Sequence, residues 1–142
     1  MNERDEKQQG RCLCGAIEFE ASRLPLWIAH CHCQSCRRNT GSAFATFVGL
    51  PEAGSRYLTG TPRVFASSPG VRRSFCENCG TPLAYAADRF PGEVHVYVST
   101  FDNPDAFPPE LHVYVAEAIG WLHLDDGLPR YRTTSRDAAP IE

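Results

Sequence analysis

Three cysteines and two histidines fall within the seven residues His30-Cys31-His32-Cys33-Gln34-Ser35-Cys36. Two further cysteine pairs lie at a distance, Cys12/Cys14 near the start and Cys76/Cys79 past the middle. Thiolate and imidazole are the soft donors that hold transition metals, so this density of sulfur first suggests a bound ion. Disulfides are the rival use. Seven cysteines cannot all pair, and the polar start MNERDEKQQG lacks the apolar stretch of a secretory signal. The expected compartment is therefore the cytoplasm, where thiols stay reduced. Cysteines that serve only as small apolar residues scatter along a chain. These are grouped.

Cys12-Leu13-Cys14-Gly15 and Cys76-Glu77-Asn78-Cys79-Gly80 each read as a two-ligand knuckle. One or two intervening residues let both sulfurs face one ion, and the following glycine supplies the positive φ on which the chain turns. Together they offer four thiolates, the ligands of a closed tetrahedral zinc site with Zn–S bonds of ~2.3 Å. Ferredoxin spacings are absent, which favours zinc over an iron–sulfur cluster. The remaining run, Cys31, Cys33 and Cys36, cannot be divided between two sites without stranding a ligand. It reads as three ligands of a second ion whose fourth position is supplied from elsewhere or left open, and an open position marks catalytic zinc.

The alternative for the trio is a site closed by histidine. His30 and His32 are crowded by neighbouring ligand cysteines, whereas His95 and His112 would arrive from strands or serve as hydrogen-bonded core imidazoles. Arg37 and Arg38 follow the trio. Arg37 has the fork geometry to anchor a substrate carboxylate, and it reads equally as a solvated base at the end of a helical turn. Thr40-Gly41-Ser42 is a turn able to lend donors to a ligand. No phosphate-binding glycine loop, G-x-S-x-G elbow or H-E-x-x-H helix accompanies the cysteines.

The elements that must position these groups are short. With 42% hydrophobic residues in 142, the chain can bury one core, and a single domain over residues 10–131 is expected between a flexible leader (1–9) and a flexible tail (132–142). Eleven Gly and eleven Pro break up any long helical period. Stretches rich in β-branched and aromatic residues recur at 16–21, 44–50, 62–67, 72–75, 82–87, 93–100 and 111–118, and only Ser35 to Asn39 suggests a helical turn. In 93–100, Val94, Val96 and Val98 alternate with His95 and Tyr97, the period of a strand. The expected fold is mainly β and antiparallel, with metal stapling a modest core. A net charge of −3 argues against a nucleic-acid partner, no run is long enough to span a membrane, and exposed strand edges leave room for a homodimer.

Three ordered motifs, G-x-C-x-C-G at 10–15, H-C-x-C-x-x-C-R-R-x-x-G at 30–41 and F-C-x-x-C-G-T-P-L at 75–83, resemble the glutathione-dependent formaldehyde-activating enzyme family, which includes centromere protein V. Pro109-Glu110-Leu111-His112 with Trp121 is similar to its C-terminal signature. The resemblance covers roughly residues 10 to 131. It implies an Mss4-like β fold with two zinc ions, one structural on Cys12, Cys14, Cys76 and Cys79, and one on Cys31, Cys33 and Cys36 that accepts a substrate thiol. It also implies carbon–sulfur lyase or synthase chemistry on glutathione and formaldehyde, in the manner of an S-hydroxymethylglutathione synthase. The alternatives are a zinc-binding interaction module without catalysis and a zinc or redox sensor.

Overall fold

The computed structural model describes residues 7–21 and 24–141. The described residues form ten strands and one helix, with four short 3-10 turns between them. β1 (Gln8–Arg11), β2 (Glu18–Ala21) and β5 (Ser55–Thr59) form a small antiparallel sheet in the order β1-β2-β5. The large sheet takes β3 (Trp27–Cys31), β4 (Ala45–Pro51), β6 (Arg63–Ser68), β7 (Val71–Phe75), β8 (Pro82–Ala87), β9 (Glu93–Tyr97) and β10 (Leu111–Val113). Its order is β10-β3-β4-β9-β8-β7-β6. Helix α1 (Gln34–Thr40) leaves the end of β3 and closes at Gly41, whose φ of 72° is the left-handed conformation glycine accepts without cost.

The two-residue period of the central strands divides the interior in two. On β4, Val48 and Leu50 face the small sheet, where they join Ile17, Phe19, Leu83, Val96 and Phe101 in the larger core. Ala45 and Phe47 face the other way and pack with Cys31, Cys36 and Tyr97. β9 follows the same rule. Val94 and Val96 belong to the first cluster, while Tyr97 belongs to the second and His95 stacks on Tyr85 at 5.3 Å on that side. The alternation expected over 93–100 is therefore real, but both faces are covered, and the strand stops at Tyr97 in a 3-10 turn. Within the small sheet, Glu20 is buried and held by Arg56 at 2.7 Å, so its carboxyl titrates well below the usual range.

The mainly β expectation is met, with one departure in direction. β10 pairs with β3 in parallel, so the large sheet is mixed. The run 111–118, expected as one strand, pairs over Leu111–Val113 alone because Tyr114 takes φ 56° and turns the backbone out of the extended region. β1, β3 and β5 lie in stretches not expected as strands. Gln8 and Gln9, assigned to the leader, open β1. In the stretch assigned to the tail, Thr133 O accepts from Tyr114 N at 2.9 Å and Arg136 Nη2 meets Glu93 Oε2 at 2.8 Å. These residues lie against the sheet because β10 leaves backbone groups for them to satisfy.

Gly49 shows how closely the cavity side is fitted. A Cβ at this position would overlap the indole of Trp27, which packs flat on the glycine and donates to Glu93 Oε1 at 3.1 Å. Gly49→Ala should cost roughly 1–3 kcal/mol through displacement of that ring. A lowered urea midpoint with altered Trp27 fluorescence is the expected result.

Candidate functional site

Two turns of the same design gather the first four cysteines. Gly15 N donates to Cys12 O at 3.1 Å and Gly80 N to Cys76 O at 2.7 Å, with φ of 79° and 80° at the two glycines. Both positions are open to a side chain, so the glycines are required by conformation and not by space. The turns meet although Cys14 and Cys76 are 62 positions apart. Cys14 Sγ lies 3.8 Å from Cys76 Sγ and 3.7 Å from Cys12 Sγ, and all four sulfurs fall within 4.8 Å of one another. A disulfide needs ~2.05 Å. A tetrahedron with Zn–S bonds of ~2.3 Å has edges of about 3.8 Å, which these separations match. Ile17 N and Asn78 Nδ2 donate to the sulfurs of Cys12 and Cys14 at 3.3 and 3.2 Å, and Thr81 Oγ1 lies 3.1 Å from Cys79 Sγ. Donors aimed at sulfur suit thiolate ligands, and the quartet fits zinc.

The trio is assembled by a strand end and a helix start. β3 delivers Cys31, and Cys33 occupies the position before α1, where its sulfur accepts from Cys36 N at 3.2 Å. That capping bond fixes Cys33 and Cys36 on one turn of backbone. Cys31 Sγ and Cys36 Sγ are 3.7 Å apart and the three sulfurs lie within 4.8 Å, again the spacing of metal ligands. Cys33 is held far below the usual thiol range by donation from Cys31 and Cys36, while Cys31 is pushed up by the same sharing. Among the described residues no histidine or carboxylate joins the three sulfurs as a fourth donor.

Every candidate histidine is engaged elsewhere. His30 Nδ1 pairs with Thr46 Oγ1 at 2.7 Å. His32 Nε2 and His112 Nδ1 are 2.9 Å apart, and His112 Nε2 reaches Asp126 Oδ2 at 2.7 Å. This His32–His112–Asp126 chain, buried at the two histidines and exposed at Asp126, tethers the residue between Cys31 and Cys33, so β10 and the 126 loop set the trio's backbone. Nothing in the sequence joins Asp126 to this group; only the fold does. His30, His112 and Asp126 also present ligand atoms within 4.8 Å of one another.

All three trio sulfurs border a cavity of about 770 Å³. Its walls carry Trp27, Phe47, Tyr85, Phe90, Tyr114 and Tyr131. Arg73, Arg89 and Arg136 also face it. Arg73 is buried, lies over Tyr85 at 5.0 Å and reaches Cys36 Sγ at 3.8 Å through Nη1. No spacing in the sequence singles it out, since its only signal is an Arg72-Arg73 pair that ends three residues before Cys76. Arg37 is placed differently from expectation. It donates to the backbone carbonyls of His32 (3.4 Å) and Glu117 (3.0 Å) and is absent from the cavity lining. Trp121 is exposed and Trp27 is the cavity's indole.

Comparison with known proteins agrees with this architecture. The family described as glutathione-dependent formaldehyde-activating enzyme matches residues 7–117. An uncharacterized lyase of Schizosaccharomyces pombe is 36% identical over 80 residues, which cover 55% of this chain and 56% of that protein. The match thus spans about half the length of that relative. A crystal structure of a Rhodobacter sphaeroides protein has a TM-score of 0.57 at 21% identity, covering 87% of this chain and 98% of the other. At that identity the likeness is one of fold.

His95, on the cavity wall, gives the site a pH dependence. Burial pushes its pKa down to about 4, outweighing the nearby Glu93 carboxylate, so it is neutral when folded. Above its unfolded pKa of ~6.5 neither state binds the proton. As pH falls from there toward 4 the unfolded chain is protonated first, and stability drops. Between pH 7.5 and 5, the urea midpoint of the wild type should fall further than that of His95→Gln. Parallel slopes would remove the assignment.

Proposed function

The chain belongs to the glutathione-dependent formaldehyde-activating enzyme family, and on that footing we propose that it is a zinc-dependent carbon–sulfur lyase or synthase acting on thiol adducts of aldehydes. The observation that carries the reading is the trio of sulfurs at metal-ligand spacing on the cavity wall, with no fourth protein donor among the described residues. Cys12, Cys14, Cys76 and Cys79 would hold a structural zinc, and Cys31, Cys33 and Cys36 a second. Bound there, zinc would lower the pKa of a thiol and favour its thiolate.

The surrounding residues suit that chemistry. Three thiolates on one dication leave a net negative site, and Arg73 donates to Cys36 Sγ from a buried position. A guanidinium there offsets that charge where water cannot. Trp27, Phe47 and Tyr85 line an apolar wall that shields a small aldehyde from bulk solvent. In the forward direction the thiolate sulfur forms a bond to the aldehyde carbon. The carbonyl π pair moves to oxygen, which takes up a proton, and the thiol's own proton passes to solvent. Glutathione and formaldehyde are the proposed pair, and the cytoplasm, where glutathione is abundant and thiols stay reduced, is the proposed setting. Arg37 acts in this scheme by fixing the loop at Glu117 and His32 O to the trio.

Native mass spectrometry should find two zinc ions per chain, one removed readily by chelator. Exchange of glutathione with formaldehyde, followed by NMR, should exceed the uncatalysed background. In Cys33→Ala it should return to background with one zinc and an unchanged circular dichroism spectrum. Two zinc ions with no rate above background would leave a zinc-stapled scaffold without this activity.

A further inference from the structure

The cavity's three arginines differ in what neutralises them. Arg136 is paired with Glu93 at 2.8 Å. Arg73 donates to Cys36 Sγ and, through Nε, to Ser67 Oγ at 3.2 Å. Arg89 makes no ion pair within 4.0 Å among the described residues; it bonds the neutral hydroxyls of Tyr114 and Tyr85, and the Asp137 carboxylate feels its charge only from further off. It is nevertheless held in place. Its guanidinium carbon lies 4.6 Å from the centroid of Phe90 and 5.7 Å from that of Tyr114. Aromatic faces attract a cation and fix its plane without cancelling its charge.

Tyr114 adds a second observation. It is the one non-glycine residue at positive φ among those described, and it lines the same cavity and packs against the trio's cluster. A tyrosine in that conformation is strained, and such strain persists where the surroundings over-determine it, commonly at ligand sites. Here it sets the ring and hydroxyl that hold Arg89.

We propose that Arg89 is the specificity residue of the cavity and takes a carboxylate carried by the thiol substrate. The inference deepens the thiol–aldehyde reading and rests on it for the thiol. The carboxylate follows from the guanidinium itself, a planar fork with five donors whose preferred partner is a planar two-oxygen anion. Because the side chain is held in place beforehand, little rotamer freedom is lost on binding. A substrate of matching length with its carboxylates made neutral should lose this contact and little else.

The test compares glutathione with its diamide, in which both carboxylates become carboxamides, on wild type, Arg89→Met and Arg89→Lys. Calorimetric binding and formaldehyde exchange are read separately. The wild type should favour glutathione by about tenfold to a hundredfold, as expected for a charge-assisted pair. Arg89→Met should narrow the preference to a few-fold, and Arg89→Lys should keep part of it. Equal binding of both thiols by the wild type, binding of neither, or a preference that survives in Arg89→Met overturns the proposal. A preference that depends on Arg89, without exchange above background, supports the carboxylate site while removing the proposed chemistry. Exchange that treats both thiols alike does the reverse.

Discussion

The meeting of two glycine-ended turns at four sulfur atoms is the constraint on which the rest of the molecule depends. Cys12 and Cys14 lie between the first two strands of the small sheet, and Cys76 and Cys79 join β7 to β8 in the large one. The quartet therefore ties one sheet to the other at a single point. Thr81 reinforces it, receiving the N–H of Leu13 at 3.0 Å from the opposite turn. Cys12 and Cys76 are themselves buried in the larger core beside Ile17, Phe19 and Leu83, so apolar packing and sulfur chemistry act at the same place. With the two sheets so joined, the other face of the large sheet is free to carry a cavity.

That second face is where the trio sits, and its geometry is owed to elements far apart in the chain. β3 supplies one sulfur and the first turn of α1 two. Their backbone is tethered from behind by His112 on β10 and by Asp126 beyond it. In front, Trp27 packs on Gly49 and reaches Glu93, which also receives Arg136. The cavity is thus walled by residues of all seven strands of the large sheet, by the start of α1 and by residues after 126.

The cysteine partition was legible in the sequence because local spacing determines it. Two short turns followed by glycine, and one run that cannot be divided, have few ways to arrange sulfur around an ion. Strands such as 82–87 were legible for the same local reason. What was not legible depends on distance. β3 carries Trp27, Ile28, Ala29 and His30 without a polar alternation, since both of its faces are covered, and so it did not announce itself. The parallel pairing of β10 is a tertiary choice. Arg37 drew notice by standing next to Cys36, but a helix turns successive side chains about 100° apart, and this one points to the 117 loop. Arg73 comes from β7 and Arg89 from the turn between β8 and β9, and no spacing rule links them to the trio.

β6 ends the large sheet, and all six of its residues are exposed, Val64 and Phe65 among them. Bare edges of this kind invite growth by another strand, the route to uncontrolled self-association. Two features oppose it here. Pairing with β7 slips between Ala66 and Ser68, which bends the edge and breaks its row of free donors and acceptors. Arg63 places a charge at the other end, held by Glu77 at 3.3 Å. An incoming strand would find a straight run of only a few residues, so the margin of the sheet resists templating even though its side chains are greasy.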